Sequence, residues 1–105
     1  MKIKDFKESK MIIEQARITI QIGQEQAFEK RFYEHSDVFR NTQGCQKFRL
    51  LRGVDHPQNY ALVIQWDSKE IHEDFMKTEQ FKQWFLAIKP FLAAKIEMEH
   101  FERTL

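Results

Sequence analysis

Six bulky rings, Phe28, Phe32, Trp66, Phe81, Trp84 and Phe85, recur at helical spacing or close an apolar segment, and they are the residues best suited to holding a flat apolar ligand. The competing reading is that the same rings fill the interior, which is what an aromatic stripe at helical spacing usually does. Trp66 is the strongest pocket candidate, because it ends a strand pattern just before a loop. The polar residues within reach of such a pocket are His35, Tyr33 and Arg17. His35 falls on the apolar side of a helical pattern, whereas Arg17 occupies an odd, outward-facing position of a strand pattern.

Other chemistries lack their residues. Phosphate-binding loops need closely spaced glycines, and the chain has only Gly23, Gly44 and Gly53. A helical zinc protease needs two histidines one turn apart; His72 and Glu73 begin that pattern, but Met76 stands where the second histidine belongs. The four histidines, His35, His56, His72 and His100, are too dispersed for a local metal signature, and no metal is expected. Ser9, Ser36 and Ser68 lack a nucleophile-elbow context, and Cys45 reads as a small strand residue.

A single cysteine forbids an internal disulfide and fits a reducing, cytoplasmic setting. Seventeen Lys and Arg against sixteen Asp and Glu give a net charge of +1, so no global field favours nucleic acid or an anionic bilayer. The segment Gln46 to Leu50 also departs from the aromatic strand of RNA-recognition domains. Apolar runs such as Tyr60 to Ile64 and Pro90 to Ala94 are far shorter than the ~20 residues of a membrane span. With 105 residues, 42% of them hydrophobic, the chain has room for one domain, over residues 11–105. Residues 1–10 are basic and precede an apolar stretch, Met11 to Ile13, too short for a signal-peptide core; they read as an arm or a short extra strand.

The elements follow from the hydrophobic periods. From Met11 to Ile22 the even positions Ile12, Ala16, Ile18, Ile20 and Ile22 are apolar and the odd ones polar, which predicts a half-buried strand. After Gly23 the period changes, and Ala27, Phe28, Phe32, His35 and Phe39 predict an amphipathic helix that stops at Asn41 to Gly44. Cys45 to Arg52 reads as a second strand, with Phe48 and Leu50 on one face, and Tyr60 to Trp66 as a third. Asp67 or Ser68 can cap a short helix carrying Ile71 and Phe75. A second helical stretch begins at Thr78, places Phe81, Trp84, Phe85 and Ile88 on one side, and is limited by Pro90. Lys95 to Glu102 alternates as a closing strand, with Ile96, Met98 and His100 on one face.

This order, β-α-β-β-α-α-β, predicts an α+β, ferredoxin-like fold: a four-stranded antiparallel sheet with helices on one face. Leu51, Ala61, Val63 and Phe101 would lie on the other face, mixed with polar residues. A mixed face of that kind is suited to a second subunit, so a homodimer packed sheet to sheet is expected.

Three segments resemble the antibiotic biosynthesis monooxygenase superfamily, and the resemblance runs from about Ala16 to Phe101. Gly44-Cys45-Gln46-Lys47-Phe48-Arg49-Leu50-Leu51-Arg52 is similar to the family's glycine-led second strand. Tyr60 through Trp66, followed by Asp67-Ser68-Lys69-Glu70, is similar to its strand that ends in tryptophan. Thr78-Glu79-Gln80-Phe81-Lys82 is similar to its helix start. The resemblance implies a dimeric α+β barrel and a kinship with quinol and anthrone oxygenases and with Isd-type haem-degrading enzymes.

Haem-degrading members use an asparagine on the first strand, the tryptophan of the third strand, and a histidine ligand four residues after the helix phenylalanine. Carried over by position, Trp66 is present, but Ala16 and Phe85 replace the asparagine and the histidine. Phenylalanine cannot coordinate iron and alanine cannot donate a hydrogen bond to an iron-bound oxygen. The family's cofactor-independent oxygenases need only a dry pocket and a group that orients or deprotonates the substrate. The expected activity is therefore monooxygenation of a small aromatic, quinol or polycyclic substrate without a cofactor. Trp66 and His35 are the candidate catalytic residues, and Phe28, Phe32, Trp66, Phe81, Phe85 and Ala16 the candidate lining of the substrate pocket. A haem-binding or haem-degrading protein and a non-enzymatic ligand-binding or structural homodimer are the alternatives.

Overall fold

Alternation of apolar and polar residues in 12–19 makes β1 (Ile12–Thr19) a strand with one buried face, and β1 becomes an inner strand of the sheet. A computed structural model describes residues 11–105; the segment read as an N-terminal arm lies outside the described residues. The helices are α1 (Glu25–Glu34), α2 (Asp37–Arg40), α3 (Lys69–Phe75) and α4 (Glu79–Ile88). The other strands are β2 (Cys45–Arg52), β3 (Asn59–Trp66) and β4 (Glu97–Phe101). The sheet order is β2-β3-β1-β4 with every pairing antiparallel, the expected ferredoxin-like arrangement.

The register decides which residues meet. Ile12 lies opposite Trp66, Ala16 opposite Leu62 and Ile18 opposite Tyr60, so the even positions of both strands share the helix-covered face. Phe28, Phe32 and Phe39 press on that face from α1 and α2, Phe75 from α3, and Trp84 and Ile88 from α4; all are buried. Leu51, Ala61, Val63 and Phe101 take the opposite parity and lie on the sheet face without helices. Leu51 and Phe101 are exposed there.

Local chemistry places the helices. Ser68 caps α3 by accepting the Ile71 amide at 3.2 Å, and Thr78 caps α4 by accepting the Phe81 amide at 3.1 Å. Pro90 sits in the 3-10 turn Lys89–Phe91 that ends α4. Gly44 adopts a φ of +93°, and a Cβ there would lie 2.8 Å from Ile71 Cδ1, so α3 packs directly onto the start of β2.

Three sequence expectations are corrected. The first strand stops at Thr19: Ile20 is buried through an isolated bridge to Leu92, the chain then turns, and Ile22 is 82% exposed. The helix expected from Gln24 to Phe39 breaks at His35–Ser36. The buried Ser36 hydroxyl donates to the Tyr33 carbonyl at 2.9 Å and accepts from Arg40 Nη1 at 2.8 Å, satisfying polar groups that a continuous helix would bond differently. His35, at the break, is exposed, and so is Ala27, which lies off the Phe28–Phe32 face of α1; both were expected on the inner helix face.

Candidate functional site

Glu14 interrupts the apolar inward positions of β1, and the residue is only 7% exposed. Burial of a carboxyl is costly without partners, and the fold supplies two on one oxygen. Trp66 Nε1 donates to Glu14 Oε1 at 3.0 Å, and His72 Nε2 lies 3.1 Å from the same atom. On its far side His72 Nδ1 lies 2.8 Å from His100 Nε2.

The elements bring these groups together by different routes. Glu14 faces Ile64 on β3, so Trp66, the next inward residue, is its diagonal neighbour across the pair. On the other border Glu14 is directly opposite His100 of β4. Capping by Ser68 orients α3 so that His72 and Phe75, one turn apart, point at the sheet. The Trp66 indole then stacks on the His72 imidazole, centroids 4.8 Å apart and planes 19° apart, and meets the Phe75 ring at 5.2 Å.

Burial dominates the electrostatics. Desolvation lifts the Glu14 carboxyl from 4.5 to about 7 against the lowering effect of the Trp66 hydrogen bond. Desolvation lowers His72 from 6.5 to about 4, with the neighbouring His100 adding to the effect. His100 is also lowered, first by burial, then by Lys69, with Glu73 opposing. Near neutral pH both imidazoles are therefore uncharged while Glu14 is close to its midpoint.

That balance fixes the direction of the hydrogen bonds. With Glu14 ionised, His72 must donate from Nε2, so its Nδ1 accepts and His100 Nε2 donates. With Glu14 protonated, both bonds reverse: the carboxyl donates to His72 Nε2, and His72 Nδ1 donates to His100 Nε2. The three groups form a line rather than a convergent set, and no cluster of His, Cys, Asp and Glu suited to a metal ion occurs among the described residues. Cys45, opposite Trp66 at the start of β2, is half-buried and its thiol is pushed up to about 11 by burial and by Glu14, so it stays protonated and unreactive.

The residues singled out in the sequence are placed differently from one another. Trp66, at 0% exposure, and Phe28, Phe32 and Ala16 are packed into the core; Phe81 and Phe85 are half-buried on α4 with rings 6.5 Å apart. Of these six only Phe32 borders a principal groove among the described residues. The rings form a continuous set of contacts, Phe28 to Phe32 to Trp84 to Phe81, each with centroids 5.7 to 6.0 Å apart. His35 ends α1 with Nδ1 3.0 Å from the Arg31 carbonyl and borders a shallow depression with Trp84, away from Trp66. A groove of about 1010 Å³ lies between α1 and the β2–β3 end. Of the expected pocket residues only Phe32 borders it, and Tyr33 is its neighbour there; its Glu29 is already bonded to Tyr60 and Arg52. Arg17 lies on the open sheet face, paired with Glu97 at 2.8 Å.

Glu14, His72 and His100 were not among the sequence candidates. The available signal was Glu14 itself, a charged residue in register with Ile12, Ala16 and Ile18.

Residues 11–86 match the antibiotic biosynthesis monooxygenase family. The chain belongs to that family. A Bordetella bronchiseptica protein assigned to the same family superimposes with a TM-score of 0.87 at 30% identity, over 91% of this chain and 99% of the other. SnoaB from Streptomyces nogalater, a cofactor-independent oxygenase, has the same fold with a TM-score of 0.81 at 19% identity, over 91% of this chain and 95% of the other. The uncharacterised protein YczJ of Bacillus subtilis is 26% identical over 93 residues, 88% of this chain and 98% of its own.

Within this monooxygenase family fold, haem has no fitting ligand along the route that the sequence comparison suggested. Phe85 stacks on Phe81, Ala16 is packed opposite Leu62 and Met98, and His72, the histidine against Trp66, uses both ring nitrogens on Glu14 and His100. No helix among the described residues is long and apolar enough to cross a membrane.

Proposed function

We propose that the protein is a cofactor-independent monooxygenase of an electron-rich aromatic substrate, a quinol or polycyclic phenol, acting as a homodimer joined through the open sheet face. Family membership and the likeness to SnoaB support the reaction class. The observation that carries it is a buried, titratable carboxyl hydrogen-bonded by Trp66 and 3.1 Å from a neutral imidazole. Such a pair can accept a proton at neutral pH, and an ionised phenol or quinol is itself the reductant that O2 requires. The half-buried Ala61 and Val63 beside the exposed Leu51 and Phe101 support the dimer, since a second sheet would cover them.

The test is oxygen uptake by purified protein with a panel of quinols and polycyclic phenols, with no added metal or flavin. Enzyme-dependent uptake, with one atom of ¹⁸O2 entering the product and the other leaving as water, is expected. Uptake that is the same with and without protein across the panel rejects the oxygenase reading. A second reading, a non-enzymatic ligand-binding or structural dimer, draws on the filled core: Trp66 and Phe28 are fully buried. Saturable binding of a panel member without oxygen consumption would favour it.

A further inference from the structure

Resting on the oxygenase reading, we propose that His100, His72 and Glu14 form a proton relay in which His100 takes the substrate hydroxyl proton and Glu14 stores one in the core. The geometry is continuous. A 2.8 Å hydrogen bond and a 3.1 Å nitrogen–oxygen contact link three groups whose burial falls from the core outward: Glu14 and His72 are buried, His100 half-buried. His72 uses both ring nitrogens along the line and His100 its Nε2, and a neutral imidazole can pass a proton by swapping tautomers.

The step balances without an external reagent. The substrate O–H bond breaks as an Nδ1–H bond forms on His100, leaving the substrate anion. His100 Nε2–H then passes its proton to His72 Nδ1, and His72 Nε2–H passes its proton to Glu14 Oε1. Both rings end neutral with their protons on the opposite nitrogens, and the negative charge of Glu14 has moved to the substrate. Dioxygen then takes its electrons from that anion. Trp66 Nε1–H donates to Glu14 Oε1 in both states, so the carboxyl is held in place throughout.

The surroundings favour this direction. From α3, Lys69 and Glu73 are the charged groups that act on His100, Lys69 disfavouring a positive charge on its ring and Glu73 opposing that effect. From β2, the Cys45 thiol faces Glu14 as a neutral group. The mid-range acidity of Glu14 lets it receive and release a proton near pH 7. The relay differs from a catalytic triad in that the buried acid changes protonation rather than only orienting its histidine.

Nuclear magnetic resonance of ¹⁵N-histidine-labelled protein from about pH 5 to about pH 9 tests the relay without any substrate. The His72 proton is expected to move from Nδ1 at low pH to Nε2 at high pH while the ring stays neutral, with the midpoint of the Glu14 carboxyl. Glu14→Gln should leave His72 in one tautomer throughout. A His72 ring that keeps one tautomer in the wild-type protein, or a reversal that persists in Glu14→Gln, overturns the relay. Oxygen uptake then reads the catalytic step: His100→Gln should slow turnover of a protonated phenol at least about 100-fold and spare a substrate already ionised at the assay pH. Equal loss on both substrates overturns His100 as the proton acceptor. A tautomer reversal in a protein that consumes no oxygen upholds the relay's internal wiring while rejecting the oxygenase reading.

Discussion

Replacing Glu14 by glutamine keeps the side-chain shape and an acceptor for Trp66 Nε1 while removing the group whose charge the core resists. In the folded protein the carboxyl titrates at about 7 instead of 4.5. The folded state therefore binds more protons than the unfolded chain between those values, and stability falls as pH rises through them. At 1.36 kcal/mol per pH unit, the full loss is about 3 kcal/mol above pH 7. His72 acts in the opposite sense. Its folded value of about 4, against 6.5, means that the unfolded chain binds more protons, so stability rises with pH over that window by about 3 kcal/mol.

The two slopes cancel between about pH 4.5 and pH 6.5, and the wild-type protein should show a nearly flat contribution from this pair there. Glu14→Gln removes the falling limb. Urea unfolding at a series of pH values should find the variant equal to the wild type near pH 4.5 and more stable by about 3 kcal/mol at pH 8, or about 12 °C in Tm for a chain of this size. Other groups titrate in both proteins, so the difference isolates Glu14 and its coupling. A variant that is less stable at pH 8, or whose difference from the wild type does not change with pH, would falsify the desolvated-acid description.

Gly44→Ala should cost about 2 kcal/mol, combining a left-handed backbone position with overlap on the Ile71 side chain, and urea unfolding would show it; an unchanged midpoint would mean that α3 shifts freely on β2. Leu51→Glu, on the open sheet face, should weaken the proposed dimer by about 3 kcal/mol, or on the order of 100-fold in its dissociation constant. Analytical ultracentrifugation would detect that shift, and an unaltered dimer would place the subunit contact elsewhere.

The fold was legible because its information is local. Period-two runs in 12–20 and 60–66, the caps Ser68 and Thr78, and Pro90 each act within a few residues of themselves. The helix break at His35–Ser36 was less visible, since Ser36 is an ordinary helix residue until its hydroxyl is seen between Tyr33 and Arg40. The site was the least legible part. Trp66 was found through its position at a strand end, but its partners lie on three other elements, and only the β1–β4 register sets Glu14 opposite His100. His72 was considered only within a zinc-protease pattern that it does not complete. The rings recur at helical spacing, and periodicity does not distinguish rings that fill a core from rings that border a cavity.

Among the described residues the short strand β4 pairs with β1 only, while carrying the outermost histidine of the buried line. A five-residue strand held along one border opens at a lower free energy than the sheet interior. Local opening of β4 would break the His100 contact to His72 and admit water to the Glu14 carboxyl while the rest of the sheet stayed intact.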